Sequence, residues 1–156
     1  NSFWLRTAAG QNFGDVKSAL GNSYFGGFRN NYVDNGAINR FRNAAAFPGA
    51  RIDQISAHSY AKFTGEVDFC PIRFNNFGAL QCYPNYIQFT AFFNDLMTDW
   101  WGAPGLTRGN YMSAGAQMNI QMVFFTHMKT TLSFGYARAW GNGLNQGEFM
   151  VSLKLL

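Results

Sequence analysis

The dominant pattern along the chain is alternation with a period of two. From Met112 onward every second residue is apolar or small (Met112, Ala114, Ala116, Met118, Ile120, Met122, Phe124), and between them stand Ser113, Gly115, Gln117, Asn119 and Gln121. Successive side chains of a strand point to opposite faces, so this stretch predicts a strand with one apolar and one uncharged polar side. Residues 57–69 behave alike, with Ala61, Phe63, Gly65, Val67 and Phe69 against Tyr60, Lys62, Thr64, Glu66 and Asp68. Residues 2–9, 22–30, 84–96 and 129–140 and the terminal EFMVSLKLL complete a set of seven segments. Within the second, Gly26 and Gly27 suggest a bulge or a close backbone approach. Seven alternating segments predict an all-β, antiparallel fold.

The connections differ in length. Thr126 to Met128 make a tight turn, and GNGLNQG is a hairpin-type Gly/Asn cluster. MTDWWGAPGLTRGN is a longer loop, and residues 31–56 are the longest, with Asp34 or Asn35 as N-cap and Pro48–Gly49 as stop for a short helix. If the C-terminus lies on the periplasmic side of an outer membrane, the connections 141–147, 97–110 and 31–56 are extracellular. Those at 126–128, 70–83 and 10–21 are then periplasmic, which gives the long-outside, short-inside asymmetry of membrane barrels only in part. The chain shows neither linker nor repeat, and 1–156 reads as a single β-barrel domain or barrel segment.

Composition decides between the two ways such strands can be used. Charged residues make up only 13% of the 156 residues, while aromatics reach 18%, with 17 Phe and 17 Gly. A soluble domain carries roughly 25% charged residues and places Lys, Glu and Asp on its wet face. Alternating strands with one lipid face and one polar lumenal face give the composition seen here. The polar side is therefore expected to line a lumen, and Met118, Ile120, Met122, Leu132, Phe134, Val151 and Leu153 to face lipid. Tryptophan and tyrosine near strand ends (Trp4, Trp100, Trp101, Tyr111, Trp140) are expected in the interfacial girdles. The net charge of +4 comes from basic residues scattered along the chain, so nucleic-acid binding is not expected. NSFWLRTAAG has no signal-peptide pattern, and the expectation is a mature product or a piece of a longer polypeptide.

Few residues suggest chemistry. Cys70 and Cys82 bracket one hairpin connection, and a disulfide closing it is the leading reading, ahead of free buried thiols. A metal site would need further ligands, and His58 and His127 lack the spacing. Glu66 and Asp68 share a strand face with Lys62, which reads as a solvated or lumenal charge ladder rather than an acid/base pair. No hydrolase, metalloprotease or phosphate-loop motif occurs, so no catalytic residue, metal or cofactor is expected, and the chain is not expected to be an enzyme. Arg40, Arg42 and Arg51 in the longest connection are the candidates for an external contact surface.

Four stretches, FWLRTAAGQNFGD, YFGGFRNNYVDNGAINRFRNAAAFPG, IRFNNFG and the terminal GEFMVSLKLL, together resemble the C-terminal part of a bacterial outer-membrane β-barrel. The resemblance is to the kind that follows a TolB-like propeller or peptidase-like periplasmic region. It spans nearly the whole chain, and its motifs are structural rather than catalytic. It implies the last strands of a larger porin-like transmembrane barrel in the outer membrane of a Gram-negative cell envelope. There the chain would serve as wall, anchor or pore, with membrane lipids, the barrel-assembly machinery and other envelope chains as partners. The terminal strand is similar to the C-terminal assembly signal of such proteins, although it ends in Leu155–Leu156 rather than an aromatic residue. The alternative is a soluble secreted β-sandwich binding carbohydrate through Trp100 and Trp101.

Overall fold

The structure is a computed structural model that describes residues 1–13, 21–28, 39–74, 82–100, 108–124 and 128–155. Its frame is one antiparallel sheet. β1 (Ser2–Gln11), β4 (Ser59–Asp68), β6 (Cys82–Thr98), β7 (Gly109–Phe124), β8 (Met128–Gly141) and β9 (Leu144–Leu155) lie side by side in that order. The two-residue β5 (Ile72–Arg73) adds to β6. Between β1 and β4 the chain forms a separate ribbon, β2 (Ser23–Phe25) against β3 (Ile55–Ala57), and a 3-10 turn at Arg40–Arg42. The described residues contain no closed barrel: β1 and β9 are the free edges of the sheet.

Pairing register carries the alternation of each strand across the whole sheet. On one face Met118 stands beside Phe134 and Val151, Ile120 beside Leu132 and Leu153, and Phe3 beside Val67. On the other, Glu66 stands between Trp4 and Phe92, and Asn94 between Thr64 and Ser113. The hairpin between β8 and β9 turns on Asn142 (φ 48°) and Gly143 (φ 82°), the pair of positive φ values that matches strand twist in a two-residue turn.

Gln11 pairs with Ser59, so the chain leaves β1 and enters β4 at the same rim of the sheet. The expected periplasmic connection 10–21 and extracellular connection 31–56 fall in part outside the described residues. Of the strand expected over 22–30, residues 29–30 lie outside the described residues, and residues 22–28 do not span the sheet. The reason is local. Gly27 sits at φ 64° and bridges Phe47 instead of a sheet neighbour. A Cβ on Gly26 would stand 1.9 Å from the Arg51 carbonyl oxygen. Two glycines in sequence thus end β2 after three residues and let the backbone cross closely over residues 51–53.

The returning segment folds onto the sheet and covers one face of it. Phe25, Phe47, Ala50, Ile55 and Ala57 pack with Leu96 of β6 and Ala139 of β8. Phe28 and Phe41 pack with Phe92, Ala137 and Met150. Phe41 stacks on Phe92 at 4.2 Å between ring centres, and Phe28 meets the same ring edge-on at 6.0 Å. Residues 21–28 and 39–57 therefore act as a plug seated on the sheet. The helix expected between residues 34 and 49 is represented among the described residues by the 3-10 turn alone.

Gly26→Ala should lower stability by about 3 kcal/mol, as a forced backbone displacement does. Gly143→Ala, where an added Cβ meets nothing within 4 Å, should cost only about 1 kcal/mol for its left-handed φ. Thermal unfolding of the two variants followed by circular dichroism measures the difference.

Candidate functional site: the seat of the plug

The face under the plug is polar and buried. Lys62, Thr64, Glu66 and Asp68 of β4 face it, with Thr90 and Asn94 of β6, Ser113, Gln117 and Asn119 of β7, and Thr131 and Ser133 of β8. Parity puts them there: each occupies the polar phase of its strand. Burying such groups costs several kcal/mol apiece unless each finds a partner. The plug supplies partners for Lys62, Glu66, Asp68, Gln117 and Asn119. Thr64, Thr90, Asn94 and Ser113 pair within the sheet, and the Thr131 hydroxyl is unpaired among the described residues.

Lys62 extends its ammonium to the carbonyl oxygens of Asn43 (3.1 Å), Ala44 (3.2 Å) and Ala46. An ammonium has three N–H donors, and the three carbonyls that follow the 3-10 turn match them. Glu148 on β9 is the counterpart of opposite sign. Its two carboxylate oxygens accept the backbone N–H groups of Phe28 (3.4 Å) and Gly49 (3.1 Å). Gly49 adopts φ 96°, and a Cβ there would lie 2.5 Å from the Ala139 nitrogen, so the plug backbone runs directly against β8.

Between these grips lies an ion cluster. Glu66, with no exposed surface, is bonded by Arg6 from β1 and by Arg42 from the plug, whose Nε lies 3.0 and 3.1 Å from its two oxygens. Arg42 also reaches Asp68 at 3.2 Å, and Thr90 donates to the other Asp68 oxygen at 2.7 Å. Two guanidiniums face two carboxylates, so the cluster is formally neutral. Beside it Asn39 accepts from Asn119 (2.9 Å) and Gln117 (3.4 Å), while Gln117 also donates to Asn119 (2.7 Å). Thr64, Asn94 and Ser113 continue the network across three strands.

Several expectations change against this geometry. The ladder of Lys62, Glu66 and Asp68 exists, but it is buried and holds the plug rather than being solvated. Arg42 is turned inward onto Glu66 and Asp68 and is no external contact. Arg51 is exposed, and the side chain of Arg40 lies outside the described residues. Trp4 is the register partner of Glu66 and Tyr111 that of Leu96, so both stand on the covered face, in the wrong phase for an outward girdle. Tyr111 packs on the plug core. Trp140 does point outward, and Trp100 is half-exposed with the Arg108 guanidinium 5.2 Å from its ring centre, while Trp101 lies outside the described residues.

Cys70 carries a free, exposed thiol rather than a disulfide, and its sulfur lies 3.0 Å from the main-chain nitrogen of Asn1. The side chain of Cys82 lies outside the described residues, as does His127. The backbone N–H of His58 bonds to Asp99, whose side chain also accepts from the Ser59 N–H. Sequence reading alone missed Phe25, Phe28, Phe41 and Phe47 as plug residues and Glu148 as an anchor. The signal was present: a connection that carries four phenylalanines is too apolar to lie in water.

Lys62→Met should take the ammonium donor from the Ala44 and Ala46 carbonyls, leave the Asn43 carbonyl with only the Ala46 N–H, and loosen residues 43–46, lowering stability by about 3 kcal/mol. Glu66→Ala should cost about 2 kcal/mol, less than the 3–5 of a fully buried pair because both arginines are one-third exposed. Limited trypsin cleavage at Arg42 and Arg51, faster in both variants than in the parent, reads the unseating directly. In comparisons with known proteins, no family model, no curated protein and no solved structure matches the chain.

Proposed function

We propose that the chain forms part of the wall of a transmembrane β-barrel of the bacterial outer-membrane type, with its own plug filling the space behind it. It acts as a membrane-embedded anchor for an envelope protein rather than as an open pore. The observation that carries this reading is the inversion of the sheet. Its sheltered face holds Glu66, Asn94 and Ser113 at 0% exposure, while Phe3, Leu5 and Phe149 stand open on the other face at 70, 67 and 66%. Val151, Leu153, Phe89 and Phe93 extend that open apolar surface. A protein in water has the reverse arrangement, and a contiguous apolar surface of this extent marks contact with something other than water.

The dimensions support lipid as the contact. On β7 the apolar phase runs from Met112 to Met122, about 34 Å at 3.4 Å per residue. With strands tilted by about 40° the band is about 26 Å tall, close to the roughly 25 Å expected of a membrane barrel. The charged residues of the open face sit at one border of the band. Asp95 shares the row of Met112 and Trp140, and Arg138 lies one row below, bonded to Asn145 at 2.9 and 3.1 Å. This border with Trp140 fits an interface, where polar tips reach water and aromatic rings sit at headgroup level. A continuous strand ladder satisfies the backbone within such a wall, and the free edges of β1 and β9 are where further strands would join. Lipids and the barrel-assembly machinery are the partners this reading brings, with the outer membrane as the location.

Ile120→Arg should cost about 2–4 kcal/mol near the midplane and reduce incorporation into lipid vesicles. Gln121→Arg, in the opposite phase and bonded to Asn85 at 2.8 Å, should be nearly neutral. Asn119 is unsuited as that control because it is locked to Asn39. Denaturant titrations in vesicles measure both variants, and equal tolerance on the two faces, or a parent that stays dispersed without detergent or lipid, sinks the proposal.

A further inference from the structure

Among the described residues, the covered face is not filled to its lower end. Below the 3-10 turn, towards the rim where residues 69–74 leave β4, lies a half-open cavity of about 510 Å³, a volume within the range of small-ligand sites. Its wall combines two aromatic side chains, Trp4 and Tyr86, with Gln88, Asn119, Arg42 and Asp68. Trp4 keeps half of its surface exposed although it stands on the covered face, and the Arg6 guanidinium lies 5.6 Å from its ring centre.

The chemistry of this wall is selective. Arg6 and Arg42 are already matched by Glu66 and Asp68, so the site offers no surplus charge to an ion. What remains is a set of amide and guanidinium donors beside amide and carboxylate acceptors. Hydroxyl groups, which donate and accept together, satisfy such a mixed set, whereas a hydrocarbon would strand it. The indole and phenol rings provide flat apolar surface for the C–H faces of a sugar ring. We propose that this cavity binds a neutral oligosaccharide, with Trp4 as the stacking platform and Gln88 as the main hydroxyl partner. Asn119 and Asp68 add the hydrogen and lone pairs that their bonds to Asn39, Gln117, Arg42 and Thr90 leave over. The inference stands on the cavity and is independent of whether the outer face meets lipid.

The test uses the full chain, kept dispersed where necessary by lauryldimethylamine oxide, because a maltoside headgroup would itself be a candidate ligand. Maltotriose, cellotriose, N,N′,N″-triacetylchitotriose and trigalacturonate are titrated separately by calorimetry and by saturation-transfer NMR. The expected result is that at least one of the neutral trisaccharides binds. Trp4→Ala should weaken that binding about tenfold or more, as loss of a central aromatic anchor does, while Trp4→Phe retains most of it and Trp140→Ala on the outer face leaves it unchanged. Gln88→Ala provides a second weakened variant whose fold does not depend on the edge strand. Absence of binding by all three neutral sugars, unaltered affinity in both Trp4→Ala and Gln88→Ala, or tighter binding of trigalacturonate than of the neutral sugars overturns the proposal. Each of these outcomes leaves the vesicle measurements on Ile120 and Gln121 untouched.

Discussion

A buried polar surface has to be hydrogen-bonded or it opposes folding, and here that requirement governs the whole molecule. Strand parity collects Lys62, Glu66, Asn94, Gln117 and Glu148 on one side of the sheet. Once they are covered, every one needs a partner that water no longer supplies. The segment between β1 and β4 is the answer, because it brings carbonyls to Lys62, N–H groups to Glu148 and a guanidinium to Glu66. Its phenylalanines fill what the polar contacts leave. The plug and the sheet are thus one unit of folding: neither has a satisfied interior without the other.

The same requirement explains the division of labour between the two faces. The outer side chains need no specific partner, so most of them are simply apolar, large or small, and their order along the strand matters less than their phase. On the inner side each position is fixed by geometry. Glu66 must meet two arginines from opposite directions, and Phe92 must offer one ring to Phe41 and its edge to Phe28. Specificity of fold resides on the wet-looking face of the sequence, which is the reverse of an ordinary soluble sheet.

What the sequence disclosed follows from the range of each interaction. Alternation is local, so the strands and the shared face of Met118, Ile120, Leu132, Phe134, Val151 and Leu153 were legible from spacing alone. The hairpin turn at Asn142–Gly143 was legible for the same reason. Trp4 and Tyr111 were assigned by their proximity to strand ends, whereas phase puts them on the covered face, as the two-residue spacing of Trp4 from Arg6 also indicates. Residues 22–30 read as a spanning strand because the apolar content was right, while the two glycines that end it act through a contact with residue 51. Lys62 and Glu148 could not be assigned their roles from sequence, since their partners are main-chain atoms, which have no letter in the sequence.

That last point bears on how the plug can vary. Lys62 and Glu148 take hold of carbonyls and N–H groups, not of side chains. Ala44 and Ala45 can therefore exchange residue types as long as the chain follows the same path, while Ala46 is fully buried and the Asn43 side chain holds the Ala45 N–H. An inserted or deleted residue there would move three acceptors at once. Neutral drift in such a segment should be rich in substitutions and poor in length changes. A family of these chains would be recognisable by conserved spacing rather than by conserved letters.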